Sequence, residues 1–157
     1  MTTASTPLRN AVLAAVALMA GCASGPPPPA ELDTRNAQCA HCGMVVSDRR
    51  FAAQIAAPGE EARFFDDIGC LTNWLRMQDA PLAPQTMIYV ADYRTKEWAP
   101  ADTAAYRRVP GLQTPMGSEI VAYASAASRD EDRSTSTGEA VPAGRVLADR
   151  WRRGDGR

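Results

Sequence analysis

The first 21 residues most constrain what this chain can fold into, because their sequence predicts a targeting segment that the mature protein lacks. Arg9 supplies a positive charge, and residues 11–20 follow as an apolar stretch without charge. Such a stretch followed by small residues is a secretory cleavage signal, and it is too short to cross a bilayer as a helix. Of 157 residues, loss of residues 1–21 leaves 136, which suits one compact domain or two very small ones.

The end of this segment reads Leu-Met-Ala-Gly-Cys over residues 18–22 and resembles a bacterial lipobox. In a lipobox the cysteine receives a lipid and becomes the first residue of the mature protein, so we predict a lipid on Cys22. Ordinary signal cleavage beside an incidental cysteine is the alternative. We expect a lipid-anchored protein of the cell envelope that faces the periplasm. Ala23 stands where inner-membrane lipoproteins carry Asp, which favours the outer membrane.

Residues 22–35 are predicted to be the lipidated anchor and a spacer. Residues 26–29 are all proline and favour an extended polyproline segment that holds the domain off the membrane. The formal net charge is −1, and no basic patch is interleaved with aromatic residues. Nucleic acid is therefore not an expected partner.

Short apolar runs bounded by turn residues predict several strands. Pro58 and Gly59 are a strong turn signal between the first two, which should form a hairpin. A turn and a short strand are expected over residues 93–98. The other predicted strands cover residues 50–57, 61–65, 87–90 and 119–124.

A helix is predicted over residues 68–77, since Ile68, Leu71 and Leu75 recur at three- and four-residue spacing. Asp66 or Asp67 is its expected N-cap. A second, short helix is expected over residues 101–105. Helices and strands in this order predict an α+β fold.

The segment after the last strand changes in composition. Residues 128–140 contain no large apolar side chain, and burial therefore cannot offset the entropy of ordering them. We predict a flexible charged tail over residues 128–157. Val146, Leu147 and Trp151 give it a short amphipathic segment that can dock back as a helix.

Removing Cys22 from the count leaves an odd set of three thiols, Cys39, Cys42 and Cys70. An unpaired thiol in an oxidising compartment is a liability unless something binds it. Residues 39–44 read Cys-Ala-His-Cys-Gly-Met, so two thiols, an imidazole and a thioether lie close together. Soft sulfur ligands favour Cu(I) over hard cations, and imidazole also suits copper.

Three other interpretations remain open. A structural zinc site would need Cys39, His41, Cys42 and Cys70 together. A thiol–disulfide oxidoreductase would place its C-x-x-C pair at a helix N-terminus after a core strand, and no apolar strand precedes Cys39. The third is a structural disulfide between Cys39 and Cys42.

Four blocks in a fixed order resemble the NosL family, lipoproteins encoded with nitrous oxide reductase. They read Cys-Ala-His-Cys-Gly-Met (39–44), Phe-Phe-Asp-Asp-Ile-Gly-Cys-Leu (64–71), Val-Ala-Asp-Tyr (90–93) and Thr-Pro-Met-Gly-Ser-Glu (114–119). The resemblance covers residues 36–127, which we take as the copper-binding domain. The sequence departs from the family pattern after Ser125.

The resemblance implies a periplasmic Cu(I) chaperone that is not an enzyme. Such proteins deliver copper for assembly of the copper centres of nitrous oxide reductase, together with an ABC-type membrane transporter and its periplasmic partner. The family fold is α+β, with two small ββαβ-like units and antiparallel strands.

The resemblance also implies the ligands. Cys42 and Met44 match the Cys-Gly-Met of the family, and Met116 matches its Thr-Pro-Met-Gly, so these are the leading Cu(I) ligands. Cys39, His41 and Cys70 are secondary candidates.

Simpler roles stay open beside these assignments. Met116 can be a buried gap-filler, as Met often is. Cys70 can face the core. Asp66 and Asp67 are most simply a helix cap, with a supporting role beside the metal as the alternative.

Overall fold

The computed structural model describes residues 25–148. The predicted signal segment, the lipid site at Cys22 and Trp151 lie outside this range. No helix in the described part of the chain is long and apolar enough to cross a membrane.

The first half of the domain is a ββαβ unit with one added strand. Its sheet is antiparallel, with the order β2-β1-β3-β4. The elements are β1 (Ala53–Ala56), β2 (Arg63–Phe65), α1 (Ile68–Arg76), β3 (Met87–Ala91) and β4 (Trp98–Pro100).

The second half repeats this arrangement in a smaller antiparallel sheet, with the order β6-β5-β7. In each unit the first strand is central, the second lies on one side of it, and the strand after the helix lies on the other. This confirms the α+β prediction with two ββαβ units. The elements are β5 (Ala105–Arg108), β6 (Ile120–Tyr123), α2 (Ala126–Glu131), β7 (Glu139–Val141) and the short α3 (Ala143–Val146).

Helix α1 forms where the apolar spacing predicts it. The Asp67 carboxylate caps it by accepting the Gly69 N–H at 2.6 Å, which satisfies a backbone donor that lacks a partner within the helix. Ile68, Leu71 and Leu75 are buried and belong to the main core together with residues of β1 and β3. Capping and one apolar face therefore fix the position of the helix on the sheet.

The proline-rich segment packs on the domain and does not simply lead away from it. Ala30 and Gln54 exchange two hydrogen bonds, from Ala30 N to Gln54 Oε1 at 2.8 Å and from Gln54 Nε2 to Ala30 O at 3.1 Å. The Tyr89 hydroxyl donates to Pro27 O at 2.7 Å. Gln54 and Tyr89 are directly opposite each other on β1 and β3 and are both buried. Residues 27–30 therefore contribute to covering this face of the sheet.

The prediction of a short helix over residues 101–105 is wrong. Residues 101–103 form a turn, and Ala105 begins β5. The Ala101 carbonyl accepts the buried Tyr106 hydroxyl at 2.7 Å, and Ala101 N donates to Ile88 O at 2.9 Å. A helix of five residues forms too few hydrogen bonds to offset the free-energy cost of nucleating it. The two tertiary hydrogen bonds therefore determine the conformation.

The prediction that residues 128–140 lack secondary structure is also wrong. This stretch contains the end of α2, a 3-10 turn over Arg133–Thr135 and the start of β7. Buried hydrogen bonds, in place of apolar contacts, order this segment. The Tyr123 hydroxyl donates to Asp132 Oδ2 at 2.9 Å and lies 2.7 Å from Thr135 Oγ1, which accepts a bond from Arg107 at 3.1 Å. Val146 and Leu147 then join the main core.

One buried carboxylate connects the two units. Asp92, just after β3, accepts bonds from the backbone of Arg94 and Thr95 in its own turn. It also accepts bonds from Ala124 N at 2.8 Å and Ser128 Oγ at 2.9 Å, at the start of α2. Burial acts to raise the pKa of Asp92, but these hydrogen bonds outweigh it, and the pKa is lowered.

Replacing Asp92 by Ala should cost about 3 kcal/mol of unfolding free energy, because four donors lose a charged acceptor. The loss should appear as a lower urea midpoint with an unchanged slope. Asp79→Ala, at an exposed aspartate, is the control and should change stability by less than about 0.5 kcal/mol. Equal midpoints for the two variants would show that Asp92 does not join the units.

Candidate metal centre

A tight loop positions the first two cysteines. Cys39 N donates to Met44 O at 2.8 Å, and Gly43 N donates to Cys39 O at 2.9 Å. Gly43 has a φ of 76°, a left-handed conformation that glycine adopts without strain. Cys39 pairs with Phe64 of β2 in a parallel bridge, and Ala40 N donates to Phe64 O at 2.8 Å. The loop is therefore held on the edge of the first sheet.

The chain brings the third cysteine to this loop through the start of α1. Asp66 follows β2, and Cys70 lies in the first turn of the helix. The ligand atoms of four residues lie within 4.8 Å of one another: Cys39, Cys42, Asp66 and Cys70. All three thiols are free, so the alternative of a disulfide between Cys39 and Cys42 is not what the structure contains.

Solvent reaches this cluster mainly at one thiol. Cys39, Asp66 and Cys70 are each 2% exposed, whereas Cys42 is half-buried. The Cys42 thiol donates to Asp66 Oδ2 at 3.5 Å, and the other carboxylate oxygen, Oδ1, is buried without a hydrogen-bond partner. A buried carboxylate oxygen without a partner is costly, and a cation in the cluster would satisfy it.

Burial keeps the inner thiols protonated in the absence of metal. It raises the pKa of Cys39, and backbone hydrogen bonds lower that pKa only in part. It also raises the pKa of Cys70 far above its ordinary value, and a hydrogen bond with Asp66 and the charges of Cys39 and Asp66 act in the same direction. Metal binding therefore has to displace protons, as it does at any thiolate site.

Three sulfur atoms and one carboxylate form a donor set that can hold a thiophilic metal ion. Thiolates bind both Cu(I) and Zn(II), and a single carboxylate is compatible with zinc. The zinc alternative considered from the sequence required His41, but the cluster contains Asp66 in that place and His41 is not part of it.

The two methionines inferred from the resemblance lie at the surface. Met44 is 59% exposed and Met116 is 47% exposed, so Met116 is not a buried gap-filler. The backbone of each methionine forms a hydrogen bond with a residue in the cluster or adjacent to it. Met44 O accepts from Cys39, and Met116 N donates to Asp67 Oδ2 at 3.0 Å.

Asp67 attaches the second unit to this site. Besides capping α1, it accepts a bond from the Thr114 hydroxyl at 2.7 Å as well as the bond from Met116 N. The carboxylate is fully buried. One side chain thus fixes both the helix that carries Cys70 and the loop that carries Met116.

Asp66 is the site residue that reasoning from the sequence did not place among the ligands. It was expected to cap the helix or to support the metal indirectly. Two consecutive carboxylates precede α1, and a helix needs only one as its cap. The second was the available signal, because a buried carboxylate beside thiols is a potential metal ligand.

The fold is an α+β domain built from two ββαβ units, and its cluster of three thiols and a carboxylate could hold a metal ion. A family model, NosL, matches residues 29–149, and the chain belongs to the NosL family. The matched region extends beyond residues 36–127 at both ends. Searches of the curated proteins and of the solved structures found no match.

The three thiols should differ in reactivity in the metal-free protein. Because Cys42 is half-buried while Cys39 and Cys70 are buried, an aromatic disulfide reagent should modify one thiol at least about tenfold faster than the other two. A stopped-flow absorbance trace measures this, with Cys22 replaced by Ser.

Cys42→Ser should remove the fast phase, whereas Cys39→Ser should leave it. Three equal rates in the folded protein would contradict the burial described for the cluster.

Proposed function

We propose that this protein is a membrane-anchored periplasmic chaperone that binds Cu(I) and delivers it for maturation of the copper centres of nitrous oxide reductase. The observation that carries the proposal is the convergence of three thiols and a carboxylate within 4.8 Å. Membership of the NosL family suggests a copper-binding accessory function. The transferred ion is a cargo, and the protein catalyses no covalent chemistry.

Ligand softness favours Cu(I) as the cargo. Thiolates and thioethers bind Cu(I) well and bind hard cations poorly. Cys42 lies between two environments, because Cys39 and Cys70 beside it are buried while Met44, two residues on, is exposed. A zinc site in a folded domain is normally closed by four strong ligands and needs no adjacent exposed thioethers.

Transfer of a metal requires a ligand that an acceptor can reach. Cys42 is the thiol of the cluster with substantial exposure, and Met44 and Met116 stand at the surface on backbones bonded to Cys39 and Asp67. Copper would then pass from the inner thiols through Cys42 to the thioethers and on to the acceptor. Stepwise ligand exchange of this kind never requires a free copper ion.

The anchor and the partners complete the proposal. A lipid on Cys22 would keep the protein at the membrane, with the outer membrane favoured by Ala23. The partners would be nitrous oxide reductase and the ABC-type transporter that serves its maturation. The proline-rich sequence that follows Cys22 and the order of the four sequence blocks support this assignment.

An envelope thiol–disulfide reductase that uses Cys39 and Cys42 is the alternative function. Such enzymes need a thiol with a lowered pKa at a helix N-terminus. Here burial raises the pKa of Cys39, and the residue lies in a β-bridge on the sheet edge. The geometry therefore supports metal binding better than disulfide exchange.

Anaerobic titration of the mature chain with Cu(I), with Cys22 replaced by Ser, should show one tightly bound ion, and X-ray absorption should show sulfur ligation. Cys42→Ser should weaken binding by at least about 100-fold, because the variant loses a thiolate ligand. A competing chelator of known affinity measures the change.

Met77→Leu is the matched control for Met44→Leu and Met116→Leu. Met77 is 69% exposed and lies at the opposite end of α1 from the cluster, so its replacement should not affect copper. The other two substitutions should slow copper transfer to an acceptor relative to this control. Absence of a tight Cu(I) site, or unchanged binding in Cys42→Ser, would refute the assignment.

The reductase alternative predicts a different result. It requires a reversible disulfide between Cys39 and Cys42 and activity that survives Met44→Leu and Met116→Leu. We expect the protein to show no turnover with a disulfide substrate in an insulin reduction assay. Turnover that persists in both methionine variants would establish the alternative.

A further inference from the structure

A cleft beside the metal centre is lined by three arginines. Arg76 comes from the last turn of α1, Arg108 from the end of β5 and Arg145 from α3, so both units contribute. The cleft encloses about 290 Å³. This is close to the lower limit of ordinary small-ligand sites, which makes it large enough for one small charged group and its neighbours.

One of the three arginines has an ion-pair partner, and the other two have none among residues 25–148. Arg108 binds Glu119 at 3.2 Å, and Glu119 is itself held by Gly111 N at 2.8 Å. Within residues 25–148, the guanidinium groups of Arg76 and Arg145 have no ion-pair partner, and no described residue lining the cleft is acidic. The chain as a whole has a net charge of −1, so this concentration of positive charge is local.

The floor of the cleft is rigid, while its charged groups remain accessible. The Thr72 hydroxyl donates to Ile68 O and lies 2.7 Å from Val146 O, and both Thr72 and Val146 are buried. Arg76 and Arg145 are exposed, and the Arg108 side chain is 60% exposed. Planar guanidinium groups pair with the oxygens of carboxylate and phosphate in bidentate fashion.

We propose that this cleft is a binding site for an oxyanion group, either a carboxylate or a phosphate, held between Arg76, Arg108 and Arg145. Asn73 on the rim adds an amide donor. The group can belong to an acidic segment of another protein or to a small free anion. The site is separate from the thiol cluster, and its existence does not depend on copper.

The site nevertheless lies next to two residues of the proposed copper path, Cys70 and Met116. Gly69 and Ser118 both line the cleft, and a Cβ on Gly69 would lie 2.8 Å from the Ser118 Cβ. Gly69 adjoins Cys70, and Ser118 is two residues from Met116. A protein that docks an acidic group in the cleft would therefore lie next to the residues proposed to exchange copper.

The test is a titration of the mature chain (Cys22→Ser) with three separate compounds, inorganic phosphate, citrate and a hexaglutamate peptide, followed by ¹H–¹⁵N NMR. Saturable shifts of the Thr72, Asn73, Ser118 and Val146 amides are expected with at least one compound. The affinity should fall as salt is raised, because the interaction is between charges. The compound that binds most tightly identifies the source of the oxyanion.

Arg76→Gln and Arg145→Gln should each weaken binding by about tenfold, since each removes a charge-assisted contact. Arg133→Gln removes an exposed arginine outside the cleft and should leave the affinity unchanged. The absence of saturable shifts up to about 10 mM of every compound, or an equal loss in the Arg133 variant, would overturn the proposal.

Copper binding measured in the same variants separates the two proposals. Arg76→Gln and Arg145→Gln should bind one Cu(I) as the parent protein does. Loss of anion binding with copper binding intact supports the cleft as a distinct site. Parallel loss of both activities would show that the arginines act only through the fold, and this result would also overturn the proposal.

Discussion

The arrangement of the metal centre depends on the Asp67 carboxylate. It is fully buried and accepts bonds from Gly69 N, the Thr114 hydroxyl and Met116 N. A buried carboxylate is stable only when such donors surround it, so the helix and the loop must both be in place. One side chain therefore couples folding of α1, docking of the second unit and alignment of Cys70 with the other thiols. A protein that loses this contact would lose the shape of the site before it lost any ligand.

In the second unit, the segment between its second strand and its helix has only a structural role. In the first unit, two aspartates stand between β2 and α1, where one caps the helix and the other faces the thiols. Between β6 and α2, Ser125 caps the helix by accepting Ser128 N, and Asp92 from the first unit satisfies Ala124 N and Ser128 Oγ. Both oxygens of the Asp92 carboxylate accept hydrogen bonds. The two units share a topology, but in the unit that carries the cysteines one oxygen of the Asp66 carboxylate is buried without a hydrogen-bond partner.

The sequence was informative wherever local rules determine structure. Apolar spacing and an aspartate cap defined α1 to within one residue, and Pro58-Gly59 separated β1 from β2. The sequence also marked Cys39, Cys42 and Cys70, which the fold brings together. It failed where contacts between distant residues decide. The segment after residue 128 is ordered by bonds among Tyr123, Asp132, Thr135 and Arg107, which apolar content does not reveal. Asp66 was missed as a potential ligand because its proximity to the thiols depends on how β2 leads into α1 and on the loop at residues 39–44.

The bond between Tyr89 and Pro27 changes what the proline-rich segment would do in an anchored protein. A sequence of four prolines suggests a long stalk, but Pro27 is already fixed to the sheet. Five steps of chain join it to Cys22, and they span at most about 18 Å. A lipid at Cys22 would then be a short tether that keeps one side of the domain facing the bilayer. Copper exchange would then be confined to a thin layer beside the membrane that holds the anchor.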